Sequence, residues 1–170
     1  MTARALVFVA ALLAPLATAR AQRFTPTLHA EGGAQFTLVD AYSDRFDLGA
    51  GGALRAGLEV LGPLAIQVGV GTAWFPVAGQ EPGTLYSLEL GLRGFLRVHP
   101  VLGGPFVDVN AGAGITGELF RPVFDFGVGW DFFPARWLGL GPVVRYQQIV
   151  QPDDQGTPDD ARILLFGVNV

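Results

Sequence analysis

The sequence predicts an all-β fold: an eight-stranded antiparallel up-and-down β-barrel that crosses a membrane, preceded by a cleavable signal peptide. Three observations carry this reading. Apolar residues recur with a period of two in eight segments, the spacing of one face of a strand. Nearly every strand charge falls on the opposite face. That charged face is also the glycine-rich one. It therefore suits the concave side of an eight-stranded barrel, whose interior is barely wide enough for side chains.

The N-terminus comes first. Arg4 supplies a positive start, Ala5 to Leu16 an apolar run, and Ala19-Arg20-Ala21 a small-residue cleavage site. These are the parts of a secretory signal peptide. Ala17-Thr18-Ala19 is a second cleavage candidate. The run is broken by Pro15 and is shorter than the ~20 residues of a spanning helix. The expected division is residues 1–21 as signal peptide and 22–170 as barrel.

The strands follow in order. The first alternates Leu28, Ala30, Gly32, Ala34 and Phe36 with His29, Glu31, Gly33 and Gln35. The second sets Leu48, Ala50, Gly52, Leu54, Ala56, Leu58 and Val60 against Asp47, Arg55, Glu59 and small residues. The third aligns Leu64, Ile66, Val68, Val70, Thr72 and Trp74. The fourth aligns Tyr86, Leu88, Leu90, Leu92, Gly94, Leu96 and Val98. The fifth runs through Val107, Val109, Ala111, Ala113 and Ile115, the sixth through Phe124, Phe126, Val128, Trp130 and Phe132. The seventh has Leu138, Leu140, Pro142, Val144 and Tyr146, the eighth Leu164, Phe166, Val168 and Val170. Pro142 removes a ladder donor, so a local bulge is expected there.

Connections alternate in length. Leu61-Gly62-Pro63, His99 to Gly104 and Pro134-Ala135-Arg136 read as short turns. Val39 to Arg45, Pro76 to Gly83, Gly117 to Pro122 and Val150 to Asp160 read as the longer, polar set. Short turns at one end and longer loops at the other are the meander of a membrane barrel.

Charge decides which face looks outward. The apolar faces carry no charge apart from Arg162 at one strand end. The other faces carry Glu31, Asp47, Arg55, Glu59, Glu89, Arg93, Arg97, Asp108, Asp125, Asp131 and Arg145. A soluble lipocalin-like barrel puts its apolar face inside, and a membrane barrel inverts it. The small, charged face belongs inside, which favours the membrane barrel and leaves a soluble periplasmic lipocalin-like ligand-binding barrel as the alternative. Phe36, Trp74, Tyr86, Phe124 and Tyr146 mark the long-loop end, and Trp130, Phe132 and Trp137 the short-turn end. These form two aromatic girdles. Phe124 and Phe132 lie roughly 20 Å apart in height at a ~3.3 Å rise and ~40° tilt, close to the apolar band.

In a narrow lumen the charges must pair, because an unpaired buried charge is costly. Pairing Phe133 with Trp137 across their turn sets Asp125 opposite Arg145. Glu31 then lies near Arg55, and Arg93 and Arg97 near Asp108. A salt-bridge plug is the first reading of this network and a narrow pore for small solutes the second.

Signal peptide, eight alternating strands and short turns together resemble the small bacterial outer-membrane β-barrels related to the transmembrane domain of outer-membrane protein A. The resemblance covers the whole of residues 22–170. It implies a place in the outer membrane, contact with lipid and lipopolysaccharide, delivery by the barrel-assembly machinery, and a monomer. Such chains usually end in an aromatic residue read by that machinery; this one ends Leu164-x-Phe166-x-Val168-x-Val170.

Other functions are poorly served. A net charge of −4 offers no basic patch for nucleic acid. All eleven basic residues are Arg, and there is no Cys for a disulfide or thiolate metal site. Gly112-x-Gly114-x-x-Gly117 fits a dinucleotide fingerprint literally, but Pro122 and a strand follow where that motif needs a helix. His29 and His99 lack ligand spacing. Ser43 and Ser87 stand in no nucleophile elbow. Asp153-Asp154 and Asp159-Asp160 read as a solvated acidic loop, since Ca²⁺-loop spacing is missing. The expectation is therefore a non-enzymatic barrel without cofactor or metal.

Overall fold

A computed structural model of the chain describes residues 24–39, 48–79, 81–151 and 160–170. The expected signal peptide and its cleavage residues lie outside the described residues, as do Asp47 and Asp153, Asp154 and Asp159. The strands are β1 Thr25–Thr37, β2 Gly49–Leu61, β3 Leu64–Phe75 and β4 Gly83–Phe95, then β5 Gly104–Thr116, β6 Leu119–Ala135, β7 Leu138–Ile149 and β8 Ala161–Asn169. Each pairs antiparallel with the next, and β8 returns to β1 to close the barrel. Closure satisfies every strand edge, which a membrane interior demands.

The seam between β1 and β8 is made by glycine. Gly33 faces Gly167 in register. A Cβ on Gly33 would fall 2.5 Å from the Gly167 Cα, so this backbone approach excludes any larger residue. Beyond the paired strands, Ala30 and Val170 exchange both backbone hydrogen bonds at 2.8 Å.

The turns follow local chemistry. Gly62, at φ 50°, and Pro63 join β2 to β3. The segment between β4 and β5 folds on itself through a His99–Gly103 bridge. There the His99 Nδ1 accepts the backbone N–H groups of Val101 and Leu102 at 3.2 and 3.1 Å. The Trp130 indole N–H ties this turn down by donating to the Leu102 carbonyl at 2.7 Å.

Three expectations are corrected. Gly117 to Pro122 is not a loop: Thr116 already pairs with Leu119. Only Gly117 and Glu118 form the turn, because Gly117 at φ 60° supplies the left-handed residue a two-residue hairpin needs. The β6–β7 register is displaced by two residues, with Arg145 opposite Gly127 and Asp125 opposite Gln147. Ala135 pairs with Leu138, so the turn is tighter than Phe133–Trp137 pairing assumes. Finally, the bulge does not sit at Pro142. Pro142 stays in register with Val168, and the β6–β7 register is the same on both sides of it. The shift lies between Phe132 and Ala135, where the chain turns.

The faces are as the alternation requires. Leu28, Leu54, Val70, Leu90, Val109, Phe126 and Phe166 are exposed on the outside. Arg55, Glu89, Arg93, Asp108, Asp125 and Arg145 are buried inside. The lumen is also layered. At the long-loop end Phe75, Leu85, Val123, Ile149 and Ile163 point inward and form a buried apolar plug, with Val123 wholly inaccessible. A smaller cluster of Phe106, Val143 and Leu165, backed by Phe95, lines the lumen nearer the short turns. These apolar residues share the strand parity of the inward charges.

Candidate functional site

The lumen network is built from the middle of the strands, where alternation sends polar residues inward. Arg145 on β7 is its centre. Its Nε donates to Glu31 Oε1 at 2.6 Å and its Nη2 to Glu31 Oε2 at 2.9 Å. Its Nη1 donates to Asp108 Oδ1 at 2.7 Å and also to Asp125. One guanidinium thus holds three carboxylates from β1, β5 and β6. The two-bond fork to Glu31 is the geometry Arg favours with carboxylates.

Arg55 on β2 repeats the pattern, with Nη1 at 2.8 Å from Glu31 and Nη2 at 3.1 Å from Asp125 and 3.4 Å from Glu89. Arg93 on β4 reaches Asp131 at 2.9 Å and Asp108 at 3.8 Å, and its guanidinium lies 3.6 Å from the centre of the Phe106 ring. Three guanidinium groups therefore serve five carboxylates.

Neutral polar residues share out the surplus negative charge. Asn110 donates to Asp125 at 2.6 Å and Asp108 at 3.1 Å, and accepts from Gln67 at 2.6 Å. Ser87 donates to Glu89 at 2.7 Å and Gln147 does so at 3.2 Å. Asn169 donates to Asp131 at 2.8 Å. Reasoning from charges alone missed Gln67, Ser87, Asn110, Gln147 and Asn169; their inward strand parity was the signal available.

Glycine makes the room. A Cβ on Gly69 would lie 2.5 Å from the Arg55 Cγ, and one on Gly127 2.7 Å from Asp108 Oδ1 and 2.8 Å from Arg145 Nη2. Arg55 and Arg145 each lie over a position without a side chain, so both long side chains fit in one narrow section.

Of the ten residues expected in the network, eight are joined: Glu31, Arg55, Glu89, Arg93, Asp108, Asp125, Asp131 and Arg145. Asp125 meets Arg145 as expected, but diagonally, because the register differs. Glu59 is half-buried at the short-turn end and takes no part in these ion pairs. Arg97 is corrected: it lies beyond the end of β4, is exposed, and stacks 4.2 Å from the Phe133 ring centre instead of approaching Asp108.

Phe36, Trp74, Tyr86 and Phe124 are exposed on the outer wall towards the long-loop end, and Phe132 and Trp137 towards the other. Tyr146 and Trp130 are half-buried. At the long-loop end Asp160 accepts the backbone N–H of Gln151 at 3.0 Å and the side-chain amide of Gln148. These bonds, the backbone one foremost, hold its carboxyl below the usual carboxylate range.

No family model matches the chain, and no curated protein matches it. Solved structures do. Neisserial surface protein A superposes with a TM-score of 0.60 at 14% identity, over 86% of this chain and 98% of that one. The attachment invasion locus protein Ail of Yersinia pestis superposes with a TM-score of 0.52 at 13% identity, over 87% and 98%. The N-terminal β-barrel domain of Pseudomonas aeruginosa OprF gives 0.51 at 11% identity, over 86% and 98%. The chain has the closed eight-stranded antiparallel fold of the small outer-membrane β-barrels.

Proposed function

We propose that this protein is a non-enzymatic integral outer-membrane barrel with a structural or surface-interaction role, its lumen closed by paired charges. One observation carries the reading: among described strand residues, the outward face holds no charge except Arg162 at the long-loop end. An uncharged face of Leu, Val, Ile and Phe in a closed barrel suits hydrocarbon, where an Arg at mid-depth costs about 2–4 kcal/mol. The same inversion, with charge inside and apolar residues outside, speaks against a soluble ligand-binding barrel. Lipid and lipopolysaccharide are then the partners of the wall, the assembly machinery its partner during insertion, and the monomer its working form. A surface role agrees with the names of two similar structures, a surface protein and an attachment invasion locus protein.

The plug is favoured over a pore by the two stacked layers inside. Ions would have to pass both the Arg55–Arg93–Arg145 network and the apolar layer of Phe75, Leu85, Val123, Ile149 and Ile163. The refolded protein in planar bilayers is expected to give no channel events. Reproducible single-channel steps from the purified barrel would replace the plug with a pore.

A further inference from the structure

The lumen is closed towards the long loops and open towards the short turns. At the short-turn end a cavity of about 630 Å³ reaches in as far as Arg93 and Asp131. A second, of about 450 Å³, adjoins the turns. Arg97 and Arg136 line both. Among the described residues neither takes part in an ion pair, in contrast to the three inner arginines. The smaller cavity has no carboxylate in its lining.

These groups are also oriented. The Arg97 guanidinium lies on the Phe133 ring, 4.2 Å from its centre, a stack that fixes its plane and leaves its N–H edge free for a ligand. His99, which also lines the smaller cavity, accepts two backbone N–H groups at Nδ1. Its neutral ring then carries the proton on Nε2, a third donor.

We propose that the short-turn mouth binds a phosphate group, with Arg97 and Arg136 as its cationic walls, His99 as an added donor and Phe133 as the platform. Glu59 and Asp131 line the larger cavity but form no ion pair with Arg97 or Arg136, and two guanidinium groups outside any ion pair match a doubly charged phosphate better than a singly charged carboxylate. Planar N–H forks are well suited to its oxygens. The phosphate has two sources, a soluble phosphate compound and the headgroup of a phospholipid in the adjoining leaflet. The lipid source rests on the membrane reading above; the binding chemistry does not.

The test follows the arginine Nε–H signals by NMR in the protein refolded in maltoside micelles, which contain no phosphate. Inorganic phosphate is titrated in at constant ionic strength. Saturable shifts of Arg97 and Arg136, with Arg162 at the opposite end unmoved, are expected. The R97Q/R136Q variant, checked for folding by heat-dependent gel migration, should bind at least about tenfold more weakly. R136Q alone leaves the Arg97 stack intact and covers the case in which the double variant does not fold. In phosphatidylglycerol nanodiscs, a lipid source displaces both signals before any phosphate is added, and a soluble source leaves the titration unchanged. Non-saturating shifts, an equal response at Arg162, or parental binding by folded R97Q/R136Q or R136Q would overturn the site.

Discussion

Replacing Arg145 by Met is expected to destabilise the refolded barrel by about 3–5 kcal/mol, the usual cost of removing one partner from a buried ionic group. The reason is the number of carboxylates Arg145 holds. Without it the only cations left to Glu31, Asp108 and Asp125 are Arg55 and the more distant Arg93, with Asn110 a neutral donor to the two aspartates. Five inward carboxylates then face two guanidinium groups in a section narrow enough for Gly127 to be needed beside them. The loss reflects unpaired carboxylates more than a strong net bond, since buried ion pairs themselves roughly break even with apolar replacements. The triple variant R145M/D108N/D125N removes the guanidinium and two charges together, so it should recover a substantial part of the loss. Urea unfolding of vesicle-inserted protein, followed by tryptophan fluorescence, measures both. A parental unfolding midpoint for R145M would show that the network carries little of the fold.

The second large effect lies on the other face. Leu90 stands in the middle of β4, between Val68 and Ala111 on the neighbouring strands, and is 63% exposed. In water, Leu90→Arg at so open a site would change stability by no more than about 0.5 kcal/mol. In a bilayer it costs about 2–4 kcal/mol, and the same change near the interface roughly 0–1. Leu96, equally exposed but beyond the end of β4, supplies the interfacial comparison. L90R is therefore expected to lower vesicle-measured stability far more than L96R. Equal, small effects for the two would mean that neither residue faces hydrocarbon.

Much of this was legible in the sequence because a barrel strand has only two faces. Alternation placed Leu54, Leu90 and Phe126 outside and Arg55, Glu89 and Asp125 inside without any knowledge of pairing. Strand number and closure followed from eight such runs of similar length. Register is a different matter, because it depends on turns. Sliding a strand by two residues leaves every side chain on its face, so alternation could not distinguish Asp125 opposite Arg145 from Gly127 opposite Arg145. A two-residue turn at Gly117 likewise looks like the start of a loop until Thr116 and Leu119 are seen to pair.

The lumen was only half legible. Charge marked its ionic members, but Arg97 carries the same charge as Arg93 and lies outside the barrel section. Its place was set by where β4 ends, not by parity. Phe75, Leu85, Val123, Ile149 and Ile163 share the parity of the charges yet close the lumen with hydrocarbon. An apolar residue on a polar face looks like an irregularity in one strand; five from β3, β4, β6, β7 and β8 packed together make a layer. Height comes from register, the quantity the sequence specified least.

The central claim, an apolar wall embedded in the outer membrane, is tested most directly by separating cell membranes on a density gradient. The protein is expected in the outer-membrane fraction, resistant to carbonate and salt extraction, and released only by detergent as a heat-modifiable band. Recovery as a soluble periplasmic protein would contradict it.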